Sequence, residues 1–377
     1  ARGRATPAEA QALLDEARAA LTTSLRPGYA RLIAWAEADM ANAPSGRMGA
    51  ASLPNGAAWY AAALKLNTTT DLTAEEVRRL GLSEVARIRA QMDALARGAG
   101  FADAAAFRAE QARLDPPRPY TDETRTEILR YANDTVGRVR AKLPGWFGLL
   151  PAYRIVVMRQ PSFSEVPGGA ANAGAPSPDG VRPGAVRLQL PGTTLRQAAL
   201  PSLMCHEAVP GHVMQGDISV RQKTGPKFRA GAFGYTAFSE GWGLYVEAVC
   251  KEMGVYQDAA SDFFRLDAEL FRAGRLVVDS GIHAEGWTED EAVAYLRSIG
   301  RGEDQSRSEV RRYITNAGQA TAYKIGMIRM MQLRAEAETA LGPKFDLKAF
   351  HDLVIGSGPM PLSVLDTRVR GWIAARK

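Results

Sequence analysis

Cysteine is almost missing from this chain, with two residues in 377, Cys205 and Cys250, and neither sits in a Cys-x-x-Cys pair. A disulfide framework and a cysteine zinc site are therefore not expected, and Cys205 should simply be buried. Histidine is nearly as scarce: His206, His212, His283 and His351 are the whole supply, so any imidazole chemistry has few candidates. No apolar run approaches the ~18 residues of a membrane-spanning helix, and the opening Ala-Arg-Gly-Arg-Ala-Thr-Pro is not a secretory signal. An initiating Met is also lacking, as in a processed or trimmed chain. Finally, there is no run of one charge. The formal net charge is +6 and the pI about 9.3, but basic residues alternate with acidic ones, as in Glu75-Glu76-Val77-Arg78-Arg79. A nucleic-acid partner, which needs a basic arm or stripe, is not expected.

What is present is a globular composition, 46% apolar and 23% charged, which argues against disorder. Helix signals dominate. Thr6-Pro7-Ala8-Glu9 starts one helix, Thr73 with Glu76 forms a capping box that opens another to about residue 96, and a third runs over 121–143. The texture then changes. The β-branched run 153–158 and the alternating run 185–190 read as two strands, separated by a Gly- and Ala-rich loop over 168–176. Helices return over 195–213, 238–253, 259–282, 288–298, 318–340 and 362–375. The expected fold is mainly α with a small β-sheet beside the most polar helical motif. A helical region over 1–150 leads into a region over 151–377 that carries the chemistry, the two forming one continuous α-rich unit.

The chemistry centres on His206-Glu207-Ala208-Val209-Pro210-Gly211-His212. A zinc hydrolase needs neutral imidazole ligands, a carboxylate to take a proton from water, and a third protein ligand. Metal-binding histidines on one helix usually lie four apart. Six apart, an ideal helix turns the second about 240° away from the first. Pro210 and Gly211 must therefore kink or bulge the helix if both rings are to meet one cation. A third ligand is sought in Ser239-Glu240-Gly241-Trp242-Gly243-Leu244-Tyr245-Val246-Glu247. Its carboxylates are seven apart and share a face, with Glu240 the preferred ligand and Glu247 orienting a histidine through its other ring nitrogen.

These two segments resemble the bacterial domain-of-unknown-function family 885, whose members look like helical zinc peptidases. Further matching stretches are Thr68-Thr69-Thr70-Asp71-Leu72-Thr73, Asp279-Ser280-Gly281-Ile282-His283 with Trp287, Gly318-Gln319-Ala320 with Tyr323-Lys324-Ile325-Gly326, and Phe350-His351-Asp352 with Gly356 and Pro361-Leu362. The family commonly extends upstream of Ala1, carries aromatic residues where this chain has Asn172 to Pro176, and has proline where Ala317 stands.

The resemblance implies a helical metallopeptidase-like architecture with one Zn2+ held by His206, His212 and Glu240. It also implies Glu207 as general base, Tyr323 and His283 as stabilisers of a developing oxyanion, and Arg275, Arg312 and Lys324 as anchors for a substrate carboxylate. His351 is expected to be structural. The activity so implied is hydrolysis of short peptides, with the peptide backbone laid along the sheet edge near Leu188 to Leu190. A metal-dependent amidase or esterase acting on a nonpeptide substrate and a binding protein with a degenerate site are the rival expectations. An N-terminal segment or a second chain is a candidate for completing the cleft, and a periplasmic or secreted location is favoured over a cytoplasmic one.

Overall fold

The computed structural model describes residues 5–42, 48–165, 169–222 and 234–377. Two compact units are distinguished, residues 1–47 and 48–377. In the first, α1 (Pro7–Ala20) and α2 (Arg26–Asp39) are joined by one π-helical turn, Leu21–Leu25. Thr6 caps α1 in a capping box with Glu9, and Pro27 stands in the first turn of α2.

The second unit begins with α3 (Gly56–Thr68), α4 (Ala74–Gly98), α5 (Ala104–Leu114) and α6 (Asp122–Lys142). Strands β1 (Ile155–Arg159), β2 (Ala171–Gly174) and β3 (Gly184–Leu188) follow. The rest is helical: α7 (Leu200–Glu207), α8 (His212–Val220), α9 (Thr236–Glu252), α10 (Ala259–Glu285), α11 (Glu289–Ser298), α12 (Glu303–Thr315), α13 (Ala322–Leu341), α14 (Leu347–Ile355) and α15 (Leu362–Ala374). The chain is thus mainly helical with one small sheet.

Several helix starts follow from local chemistry. Thr73, Thr121, Asp258 and Thr288 each accept a backbone N–H of the first turn and are reciprocated by the residue three positions on, which satisfies donors that a helix leaves unpaired. α10 is the central helix. It packs along α4 on one side and touches α11, α12, α13 and α7 elsewhere, so its side chains are buried nearly all round. One apolar core lies among α6, α7, α9, α13, α14, α15 and the sheet. A second lies among α4, α5, α10, α11 and α12.

The sheet order is β1-β3-β2. β3 pairs parallel to β1, with Val157 opposite Val186, and antiparallel to β2, with Ala173 opposite Val186. Leu188 therefore lies on the central strand, and the expectation of a peptide-binding edge near Leu188 to Leu190 is corrected: among the described residues the outer strands are β1 and β2, and Asn133 occupies the outer edge of β1 at Val157. Part of the expected loop over 168–176 is the strand β2, ordered by its pairing with β3, and Gly168 lies outside the described residues. The expected helix over 195–213 is two helices, α7 and α8, meeting at a full break.

Candidate metal centre

The break between α7 and α8 is built by Val209, Pro210 and Gly211, with the Val209-Pro210 peptide bond cis. Gly211 permits it because a β-carbon there would lie 1.8 Å from the carbonyl oxygen of His206; no other residue fits so tight a reversal. The indole Nε1 of Trp242, on α9, donates to the carbonyl of Pro210 at 2.9 Å. The chain leaving α7 is thereby tied to the helix that carries Glu240.

The outcome is convergence. The rings of His206 and His212 stand nearly perpendicular with centroids 4.7 Å apart. Glu240 Oε2 lies 3.4 Å from His206 Nε2 and 3.2 Å from His212 Nε2, and one ligand atom from each residue fits within 4.8 Å of the others. Two ligands about 2.0–2.1 Å from one tetrahedral cation stand about 3.3 Å apart, so both separations to Glu240 are those a zinc ion would impose. Two imidazoles, one carboxylate and an open cavity form a donor set that fits such an ion.

Around these three the surroundings fix proton positions. Glu247 Oε1 lies 2.8 Å from His206 Nδ1, and Ser202 donates its hydroxyl to Glu247 Oε2 at 2.6 Å. Burial pushes the Glu247 carboxyl up, but Arg272 and His206 outweigh it and hold the group below its ordinary range. As an ionised acceptor, Glu247 obliges His206 Nδ1 to carry the hydrogen, which aims the Nε2 lone pair at Glu240 and the cavity. Burial likewise works against charge on His206, yet Glu240 and Glu247 raise its pKa to about 9. That attraction for a second proton is an attraction for any cation at Nε2. Glu240 is held well below its ordinary value despite burial, chiefly by His212 and His206.

The ligands line a cavity of about 910 Å³. Glu207, Ser239, Tyr323, Gln215 and Ala171, Asn172 and Ala173 of β2 share its wall, and the Tyr323 ring stacks parallel to His206 with centroids 6.4 Å apart. Tyr323 is positioned by a close helix crossing: a β-carbon on Gly326 would lie 1.9 Å from the carbonyl oxygen of Ala237, and Gly241 faces Gly326 across the same contact. α9 and α13 are thus nearly in backbone contact beside Glu240.

Of the expected anchors, Arg275 and Arg312 line the cavity but are occupied. Arg275 bonds Glu309 at 3.1 Å and the Tyr313 hydroxyl at 3.1 Å while lying over the Tyr323 ring. Arg312 bonds Glu309 and Gln319. Lys324 is not brought to the cavity. It is 1% exposed, with its ammonium 2.6 Å from Glu269 and 2.8 Å from Glu84. It follows Tyr323 on α13, and consecutive helical residues point about 100° apart. His283 also lies elsewhere: its Nδ1 accepts from the Ala50 amide and its Nε2 donates to the Tyr313 carbonyl, each at 2.9 Å. Both residues are used in joining elements of the fold.

One expectation about the surroundings is overturned. Cys205 and Cys250 form a disulfide, between Cα atoms 6.6 Å apart, that links α7 to α9. Neither neighbouring residue announces a bond between positions 45 apart; it arises because α7 and α9, which carry His206 and Glu240, pack together.

With this geometry established, comparison with known proteins gives the family. The family model described as "Bacterial protein of unknown function (DUF885)" matches residues 1–369, and the chain belongs to that bacterial family. Among solved structures it is similar to a "putative lipoprotein" from Colwellia psychrerythraea, with 33% identity and a TM-score of 0.89 over 99% of this chain. The match spans 64% of that protein's length. A "putative lipoprotein of unknown function" from Shewanella oneidensis is 20% identical with a TM-score of 0.68, over 99% of this chain and 68% of its own, and shares the fold. No protein of curated function matches the chain.

Proposed function

We propose that the chain is a zinc-dependent hydrolase that cleaves peptide bonds in short peptides. The observation that carries this reading is the convergence of His206, His212 and Glu240 on one point in the wall of the 910 Å³ cavity, with Glu207 in the same wall. A zinc ion held by these three supplies Lewis acidity toward a carbonyl oxygen and acidifies a bound water. Glu207 accepts a proton as the water oxygen bonds to the amide carbon, then returns it to the nitrogen as the C–N bond breaks, so that one acid and one amine leave. Tyr323 presents its hydroxyl-bearing ring beside His206, where negative charge develops on the carbonyl oxygen.

The substrate backbone lies along β2. That strand is a free edge of the sheet among the described residues, and Ala171, Asn172 and Ala173 line the cavity. Extended peptides add to such edges through main-chain hydrogen bonds.

An extracytoplasmic location suits the Cys205–Cys250 disulfide, and the similar solved proteins carry lipoprotein descriptions. Among the described residues no helix is long and apolar enough to cross a membrane.

Elemental analysis combined with a peptide panel tests the reading. Stoichiometric zinc with chelator-sensitive release of new amines is the expected result. A chain that holds no zinc, or that holds it and cleaves only esters, overturns the peptidase assignment.

A further inference from the structure

The geometry points to Arg272 as the group that receives a free carboxylate of the substrate, close to the bond that is cut. The cavity is then a site for peptides cleaved close to their carboxy terminus. This inference rests on the hydrolase reading above and gives it a substrate class.

Arginines 196, 272, 275, 301 and 312 line the cavity. Four are committed. Arg275 and Arg312 share Glu309, Arg301 is paired with Asp267, and Arg196 donates to the carbonyls of Gln111 and Asp115. Arg272 is different. Its hydrogen bond runs from Nη1 to the carbonyl of Ala268 on its own helix. Among the described residues its Nε is buried without a partner, as is that of Arg301. The nearest carboxylate oxygen, Glu247 Oε1, stands 3.9 Å from Nη2, beyond hydrogen-bond reach. Glu247 is already engaged by His206 and Ser202. A guanidinium has five N–H donors and matches a carboxylate with two parallel bonds. Arg272 therefore faces the cavity with its charge balanced only at a distance and its donors largely unspent.

Position places the anchor near the reacting end. Glu247 Oε1 is 2.8 Å from His206 Nδ1 and 3.9 Å from Arg272 Nη2, so Arg272 stands beside the carboxylate that orients His206, in the same cavity lining as Glu207 and Tyr323. A peptide whose free carboxylate reaches Arg272 therefore has its terminus close to the bond that is cut.

Binding tests this without turnover. The zinc-loaded Glu207→Gln protein is titrated calorimetrically with N-acetyl-alanyl-leucine and with the corresponding carboxamide. The acid is expected to bind about ten- to a hundredfold more tightly. Arg272→Met, compared at saturating zinc, should remove that preference while amide binding persists, and Arg272→Lys should restore part of it. Equal affinity for acid and amide, including no binding of either, overturns the inference. So does a loss in Arg272→Met that falls on both ligands alike, which is what a purely structural role through Glu247 would give. Failure of the hydrolase reading is separate: a chain that prefers the acid but cleaves no peptide keeps the anchor and loses the activity, whereas one that cleaves acid and amide equally well does the reverse.

Discussion

His206 and Glu247 form a buried pair, Nδ1 to Oε1 2.8 Å, in which the carboxylate decides which ring nitrogen carries hydrogen and which faces the cavity. Glu247→Gln offers an amide that can donate to Nδ1 and so favours the opposite tautomer. Zinc affinity is expected to fall about ten- to a hundredfold, as for other residues that orient a metal-binding histidine. Competition with a chromophoric chelator measures it. Unchanged affinity would remove Glu247 from the metal's supporting structure.

The ligands and the base should separate cleanly. Glu207→Gln is expected to retain one zinc per chain and to lose hydrolysis by about a hundredfold or more, whereas His212→Ala should lose the metal itself. Metal content by mass spectrometry and amine release on the same samples decide this. A Glu207→Gln protein with full activity contradicts the assignment.

The α9–α13 crossing leaves no room for a side chain. Gly326→Ala places a methyl group 1.9 Å from the Ala237 carbonyl oxygen. Backbone must move to accept it, and overpacking of this kind costs about 1–3 kcal/mol. Thermal unfolding should show the loss. A Gly326→Ala chain as stable as the parent would mean that the two helices separate readily.

The disulfide closes a loop between positions 45 apart, for which chain entropy gives a stabilisation of about 4 kcal/mol. The double variant Cys205→Ala, Cys250→Ala should unfold at lower urea concentration by a corresponding amount. The parent protein should move toward it on adding reductant. No response to reductant in unfolding experiments would mean that the thiols are not joined.

A pH effect is expected at His351. Its Nδ1 donates to the Trp146 carbonyl at 2.8 Å and its Nε2 accepts from the Tyr245 hydroxyl at 2.9 Å, so the neutral ring is fully used. Burial pushes its pKa from 6.5 to about 4. Between these values the unfolded chain takes up a proton that the folded chain refuses. The contribution is therefore present above pH 6.5 and lost as pH falls toward 4, by up to about 3 kcal/mol. In His351→Gln that slope disappears, so the stability gap between parent and variant should narrow on acidification. Urea unfolding at pH 7 and pH 4.5 measures it. A gap that stays constant would show that the ring is not held neutral.

Much of this architecture could be read in the sequence because its signals are local. Capping pairs such as Thr73 with Glu76 act within one turn, and the seven-residue spacing of Glu240 and Glu247 places both on one face of α9. The convergence of His206 and His212 was legible because Pro210 and Gly211 advertise an interruption between two histidines. What was not legible depends on distant partners. β2 is Ala-Asn-Ala-Gly, with little strand preference of its own, and is extended because β3 pairs with it. The disulfide depends on how α7 meets α9. Lys324 and His283 sit in the right motifs but on the wrong faces. Arg272 had a signal that went unread: it lies one turn from Arg275 on α10, so the two share a helix face, and its sequence position says nothing of which guanidinium already has a carboxylate.

The near-contact of Gly241 with Gly326 has a mechanical consequence. One part of the cavity lining, bearing Glu240 and the ring of Tyr323, rests on two backbones with no compressible side chain between them, and behaves as an anvil. A substrate that needs more room must then gain it elsewhere in the lining.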